Sequence, residues 1–556
     1  MDREGEAVVS RPATPTPGRG PKADLRRRAQ ALVGAPLALA VTAGAAIFLA
    51  VELIHDVGTK AYFEDEAVAG LVASRPWGEL LHTVVWTRGG SPLHFILAHI
   101  ALDISPTVGS LRWLSIVFAL GAVICAYALA RHLAGEAAGA AAAWIAAGSS
   151  LLRVYGTFGR MYSLLAFLGG LNMLLFVRAL ERPTRRRVTL AAVSAWLLAA
   201  THPFAIVPVA VEAGIALWYW RGRNWRGAIP ALVAAAATLP LLAGELRLAG
   251  RFDVSTSDGT AIGSGGDASR QLREAIEGFA GGRGAALVIL TALAVAGIWF
   301  VVQRSPQLIL VGASALLIPP VLSLIAHVGN TSTAYLTPRH LMAALVLWAA
   351  LIGVGVVQLI RTWRVTRRLA AVAVLVAAIL ATSAPATARD PRTWTAFWTT
   401  IGSVQKTTAV GTWLGKRIQP GDLLFPYAVP YLRALPQARK ARTLPRGDAP
   451  TLLAAIGDGH GAKELWVTLP LGPHDVLRPA ALRALRRSYE VTVFSRWFVI
   501  RVPGPFASRR AVITSLAPVV DEASAAISKG LLDSAAYEAV STSTVNQALR
   551  IVNRGR

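Results

Sequence analysis

The chain has 556 residues, of which 54% are hydrophobic and only 16% charged, and its mean hydropathy is +0.49. A soluble globular protein carries about 25% charged residues, so this composition belongs to the membrane class. The net charge of +25 does not point to nucleic acid, because the basic residues fall in short loops between apolar runs instead of forming one surface. The single cysteine, Cys125, lies inside such a run and leaves no disulfide framework.

In chain order, residues 1–30 are rich in Pro, Arg and Gly and read as a disordered cytoplasmic tail. The apolar run at 31–54 is longer than the roughly 7–15 residues of a signal-peptide core and reads as a retained anchor. Further spans are expected at 111–133, 136–152, 159–180, 187–202, 203–220, 227–246, 284–303, 307–327, 340–360 and 368–388. With the N-terminus inside, the loops "RHLAGE", "RALERPTRRR", "WRGRNWRG", "QRSPQ" and "RTWRVTRR" are cytoplasmic, and every one is basic. The loops 55–91 and 247–282 then lie outside and hold most of the acids found between residues 31 and 388. One orientation accounts for all these loops: about 11 transmembrane helices in the inner (plasma) membrane.

Beyond 388 the pattern changes. "GDLLFPYA", "KELWVTLPL" and "YEVTVFSRWFVIRV" are short β-rich runs, and "APTLLAAIGDG" and "LRPAALRALRRS" between them are helix-like. Residues 389–505 are therefore expected to form a small extracytoplasmic α/β domain, followed by a helical or disordered tail over 506–556.

The remaining polar residues gather on the outer side. Glu64, Asp65 and Glu66 open the first outer loop (55–110), and "VVWTRGGSPLHFILAHIALD" follows with Arg88, Ser91, His94, His99 and Asp103. That stretch is amphipathic and is expected to lie along the membrane interface. Arg153, Tyr155, Arg160 and Tyr162 head the fourth span, Thr201 and His202 end the fifth, and Tyr335, Arg339 and His340 open the tenth. An acidic group beside several Arg, Tyr and His residues suits transfer from a phosphorylated lipid. A carboxylate can deprotonate an acceptor hydroxyl, and a guanidinium can hold the departing phosphate in a fork.

The order of these motifs resembles the GT-C superfamily of integral-membrane glycosyltransferases, which includes protein O-mannosyltransferases, aminoarabinose transferases and the RgtA/B/C/D-like bacterial group. "FEDEA" (Phe63 to Ala67) matches the aromatic-x-Asp-Glu-Ala motif after the first span, and "SPLHFILAH" stands where a Pro-Leu-aromatic-aromatic motif usually follows. "RMY" (Arg160 to Tyr162), "THPF" and "PRHL" match the later motifs. The resemblance covers residues 31–388 and implies a polytopic, all-α GT-C bundle acting on a polyprenyl-phosphate sugar by one inverting displacement. The acceptor would be a hydroxyl of an envelope glycan, lipid or protein. Carried over, Asp65 is the base and Glu66 its neighbour, supporting the acceptor or a divalent cation (Mg or Mn). Arg160, Tyr162, Arg339 and His340 fall near the donor phosphate, and His94 and His202 line the substrate site. Two departures bear on metal binding: His94-Phe95 replaces the usual Tyr-Tyr, and Gly89-Gly90 replaces a preceding acid, leaving Asp65, Glu66 and His94 as candidate ligands.

Plainer readings compete with these. Asp65 and Glu66 can be a solvated cap on a helix N-terminus, Arg160 and Tyr162 can anchor a span at the interface, and His202 can cap a helix end. Glu212, inside an apolar run, is either a functional group or a carboxyl bonded between helices. His94 and His99 are five residues apart and do not share a helix face. A secondary transporter or lipid flippase would use the same carboxylates for ions, but no matching half-repeats are visible.

Overall fold

A helix runs through the first apolar segment in the computed structural model, which describes residues 21–59, 64–88, 91–220, 229–249, 276–281, 284–328, 338–362, 404–426, 441–444, 449–471, 476–494, 497–528 and 534–554. This helix, α1 (Pro21–Thr59), starts within the stretch expected to be disordered. Proline is pre-organised for a first helical turn, and the Lys, Ala, Leu and Arg residues that follow are good helix formers. Residues 1–20 lie outside the described residues.

Three short elements follow: α2 (Glu64–Ala73), α3 (Trp77–His82) and a π-helical turn (Thr83–Arg88). Next come α4 (Leu93–Ile104), α5 (Val108–Ala134), α6 (Glu136–Gly148), α7 (Ser150–Tyr155) and α8 (Tyr162–Glu181). After α9 (Arg185–Ala199) a 3-10 turn (Pro203–Ala205) leads into α10 (Ile206–Trp220) and α11 (Ile229–Ala249). The bundle closes with α12 (Ala285–Val302), α13 (Pro306–Val328), a second 3-10 turn (Pro338–Ala344) and α14 (Leu345–Thr362).

Among the described residues, 6 helices are long and apolar enough to cross a membrane, and Leu93–Ile104, Leu232–Gly244 and Pro306–Ile318 are shorter apolar helices. The expected span at 136–152 is broken. Ser149 takes an extended conformation (ψ 125°) and separates α6 from α7. The expected span at 368–388 lies outside the described residues. A single apolar core joins α1, α5, α6, α8, α12 and α14.

The C-terminal domain contains α15 (Val404–Gly415), α16 (Ala449–Ile456), α17 (Pro479–Ser488), α18 (Arg509–Ala525) and α19 (Ser534–Arg554). Its five-stranded sheet comprises β1 (Leu423–Phe425), β2 (Arg442–Thr443), β3 (Ala462–Pro470), β5 (Glu490–Val493) and β6 (Trp497–Phe506), in the order β2-β1-β3-β6-β5. A separate two-stranded ladder pairs β4 (Val476–Leu477) with β7 (Ile527–Ser528). β1 pairs in parallel with β2 and β3, whereas β6 is antiparallel to both β3 and β5.

Side chains alternate across the sheet as the pleat requires. Leu423, Phe425, Leu465, Val467, Phe498 and Ile500 enter a core shared with α16, α18 and α19. Leu424, Trp466, Trp497 and Val499 face the other way, and with α15 they pack on Ala73 of α2, Ala98 and Leu102 of α4 and Leu111 of α5. The domain thus sits directly on the elements of the first loop. Among the described residues from 509 onward are α18 and α19, whose apolar residues (Val512, Leu516, Val520, Val545) share the sheet's core.

Candidate active site

α2 opens with Glu64, Asp65 and Glu66 in its first turn, where backbone N–H groups and the helix dipole favour acids. The side chain of Asp65 lies outside the described residues. Glu66 is fully buried rather than solvated. Arg112 of α5, also 0% exposed, donates from Nε to Oε1 at 2.9 Å and from Nη2 to Oε2 at 2.8 Å, a bidentate pair. The same Arg112 donates from Nη1 to the Val57 carbonyl at 3.1 Å, tying in the end of α1. At the other end of α2, Ala73 presents its carbonyl to His99 Nδ1 at 2.6 Å, while His99 Nε2 faces Asp103 of α4 at 3.3 Å. His99 is thereby used to hold α2 against α4.

Glu66 also reaches the segment that carries Arg160. The Gly159 N–H donates to Glu66 Oε1 at 2.9 Å. Space is tight here: a Cβ on Gly159 would stand 3.0 Å from Leu111 Cβ and 3.2 Å from Glu66 Oε1, so either neighbour would have to give way. Two serine hydroxyls fix the rest of this turn, Ser115 donating to the Phe158 carbonyl and Ser163 to the Tyr155 carbonyl, each at 2.6 Å. From this pinned turn the Arg160 guanidinium extends over the Phe95 ring at 6.0 Å. His94, its neighbour on α4, hydrogen-bonds the Gly159 backbone. Its Nε2 is buried with no hydrogen-bond partner among the described residues. Burial first, and then the charge of Arg160, pull the His94 imidazole down to about 3.

One residue beyond the turn, Tyr162 begins α8 and is buried against Tyr155 and Phe158, with ring centroids at 5.0 and 5.9 Å. Arg339 lies over the Tyr162 ring at 5.3 Å. His340, on the same 3-10 turn, contacts His202 at 5.8 Å and Phe204 at 5.2 Å between ring centroids. His202 stands 6.2 Å from Tyr162 and caps its own 3-10 turn, its Nδ1 accepting the Phe204 N–H at 3.3 Å. The 338–344 turn comes this close to α8 because Gly169 has no side chain; a Cβ there would meet the Ala343 carbonyl oxygen at 2.3 Å.

The structure therefore gathers His94, Arg160, Tyr162, His202, Arg339 and His340 into one cluster of cations, aromatic rings and imidazoles, in which His94, Tyr162 and His202 are buried and Arg160, Arg339 and His340 half-buried. Glu66 is joined to that cluster through Gly159. Glu212 stands apart. It accepts from Asn172 Nδ2 at 2.7 Å, and Asn172 Oδ1 accepts from Ser194 at 2.8 Å, which makes a polar link between α8, α9 and α10.

Among the described residues no group of three or more His, Cys, Asp or Glu converges on a point that could hold a metal ion. Of the expected ligands, Glu66 spends both oxygens on Arg112 and Gly159, and His94 is surrounded by Arg160 and Phe95. The third expected ligand, Asp65, has its side chain outside the described residues. The sequence reading missed Arg112 and Gly159. A signal for Arg112 was present: it is a lone arginine at the head of the apolar run "LRWLSIVFALGAVICA", and an ionisable residue in such a run usually has a specific partner.

The arrangement of these helices matches a known architecture. The structure of ArnT from Cupriavidus metallidurans bound to undecaprenyl phosphate is similar over 85% of this chain and 99% of that chain, with a TM-score of 0.52 at 13% identity. Its apo form gives a TM-score of 0.51 at 11% identity, over 84% of this chain and 98% of that one. The chain has the GT-C fold. A weaker likeness of the GT-C chain, with a TM-score of 0.45 at 11% identity, is to the archaeal oligosaccharyltransferase AglB from Archaeoglobus fulgidus in complex with an inhibitory peptide and a dolichol-phosphate. It covers 78% of this chain and 69% of that one. No family model and no curated protein matches the sequence. The likeness to these structures lies in the fold, at identities of 11–13%.

Proposed function

We propose that the protein is a membrane glycosyltransferase that moves a sugar from a polyprenyl-phosphate donor to an acceptor hydroxyl on the outer face of the membrane. The observation that carries this reading is the half-buried pair Arg160 and Arg339 around Tyr162 with its imidazoles, linked through Gly159 to the acidic turn of α2. Arg160 and Arg339 supply fixed positive charge for a phosphate. His202, whose Nδ1 accepts the Phe204 N–H, can donate its single N–H from Nε2, whereas His94 spends its own on the Gly159 carbonyl. Asp65, next to the anchored Glu66, is the base. Its carboxylate takes the acceptor proton while the acceptor oxygen attacks the anomeric carbon from the side opposite the phosphate. The bond from that carbon to the phosphate oxygen breaks, its electron pair stays on the phosphate, and the anomeric configuration inverts. Glu66 and Arg112 position the turn and touch neither reactant.

The deciding experiment supplies purified protein with a panel of polyprenyl-phosphate sugars and compares it with Asp65→Asn. General-base catalysis contributes about 10²–10⁴-fold, so transfer should fall by that range with folding unchanged. Full transfer by a folded Asp65→Asn protein would remove the base assignment. Movement of a solute with no donor consumed would replace the enzyme by a transporter.

A further inference from the structure

The C-terminal domain carries a basic surface that the bundle does not use. α17 buries Leu485 and exposes Arg483, Arg486 and Arg487. At spacings of three and four these arginines share one helix face. None of them makes a hydrogen bond or an ion pair with any described residue. Arginines nearby behave otherwise: Arg442 donates to the Ile456 carbonyl, Arg501 is held by Glu464 and Glu490, and Arg510 donates to Asn553. Placement argues against a lipid partner. One face of the sheet packs on α2, α4 and α5, while Leu485 of α17 belongs to the core on the opposite face. The arginine stripe therefore lies in the layer turned away from the membrane helices. What meets it there is a solute of the aqueous space, and three unpaired guanidiniums select repeated carboxylate or phosphate groups, which they bind in bidentate fashion.

We propose that the Arg483–Arg486–Arg487 stripe of α17 docks an anionic envelope polymer, a chain bearing repeated carboxylates or phosphates, and delivers it as the acceptor. The delivery rests on the glycosyltransferase reading; the docking does not.

The test uses the full-length chain in nanodiscs of neutral lipid. Binding of polygalacturonate, poly(glycerol phosphate) and uncharged dextran is measured at low and physiological salt. The parent protein binds one or both polyanions, more weakly as salt rises, and does not bind dextran. The combined variant R483Q/R486Q/R487Q loses at least about tenfold in affinity, as expected for removing several charge-assisted hydrogen bonds. The charge-matched variant R510Q/R550Q/R554Q, on α18 and α19, stays within about twofold of the parent, because it leaves these bidentate contacts intact. Whichever of the two polyanions binds tells carboxylate from phosphate. Equal losses in the two variants, binding of neither polyanion, or stripe-dependent capture of phosphatidylglycerol vesicles instead of the polymers would each overturn the proposal. If the triple variant unfolds at a lower temperature, the single variant R487Q carries the comparison. Asp65→Asn separates the two readings, since it should lose transfer and keep polymer binding.

Discussion

Arg112 and Glu66, 46 residues apart in sequence, form a bidentate ion pair inside the protein at 2.8 and 2.9 Å, with neither side chain exposed. The pair joins three pieces of the site. Glu66 belongs to the turn of α2 that bears Asp65, Arg112 also holds the end of α1, and Glu66 accepts from the turn that bears Arg160. Removing one partner of a buried pair leaves the other charge uncompensated and costs about 3–5 kcal/mol, whereas replacing both by apolar residues is often neutral. Arg112→Met and Glu66→Leu should therefore each lower the unfolding midpoint strongly, and the double variant should recover most of that loss. Transfer activity should stay low in the double variant, because its stability returns without the tie to Gly159. A double variant with full activity would show that the pair only stabilises the fold.

Arg160 and Arg339 approach the cluster from different elements, one from the turn before α8 and one from the turn before α14. Each lies over an aromatic ring, a geometry that suits a planar guanidinium. Lysine keeps the charge but loses the fork and the stacking. Arg160→Lys and Arg339→Lys should weaken use of the donor by about 1.5–3 kcal/mol each, the worth of a hydrogen bond to a charged group. Steady-state kinetics with donor varied at fixed acceptor reads this directly. An effect confined to the acceptor KM would contradict donor-phosphate contact.

The fold was legible in the sequence because its signals are physical and redundant. Apolar runs of membrane length, basic loops on one side and β-rich runs after residue 388 do not depend on fine detail. The elements that escaped are those set by tertiary contact. The break at Ser149 has no proline to announce it, and α1 reaches back to Pro21 through charged residues that look like a tail. In the site, sequence motifs named residues on five separate segments, but could not say which of them touch. Nothing local in "FEDEA" distinguishes a solvated Glu66 from one clamped by an arginine on α5. The role of Gly159 is likewise invisible without the neighbours that would crowd its Cβ.

The depressed imidazole of His94 gives the protein a dependence on acid. It sits at about 3 in the folded state against about 6.5 for an unhindered histidine. Between these values the unfolded chain binds protons that the folded chain refuses, so stability rises with pH there. It is fully present above about pH 6.5 and is lost as pH falls toward 3, at up to about 1.4 kcal/mol per pH unit. Unfolding midpoints measured from pH 7.5 down to 4.5 should fall, and His94→Asn should flatten the fall. A pH-independent midpoint in the parent protein would mean that the His94 imidazole charges freely in the folded state.

Gly169 offers a test of geometry with no change in the reacting groups. It lies two turns into α8 below Tyr162, facing the backbone of the 338–344 turn, where an added Cβ would come within 2.3 Å of the Ala343 carbonyl oxygen. Backbone cannot swing aside as a flexible side chain can, so Gly169→Ala has to push the turn bearing Arg339 and His340 away from α8. Overpacking of this kind costs about 1–3 kcal/mol in stability. The functional loss should be larger than the stability loss suggests, because Arg339 would leave its position over the Tyr162 ring. A misplacement of about 1 Å can cost about 10²-fold in rate. Gly214, on α10, has nothing within 4 Å of an added Cβ, so Gly214→Ala is the matching control and should leave transfer unchanged. The comparison is made at a temperature well below both unfolding midpoints. Equal activity in the two variants would show that the Arg339 turn does not need its close seat on α8.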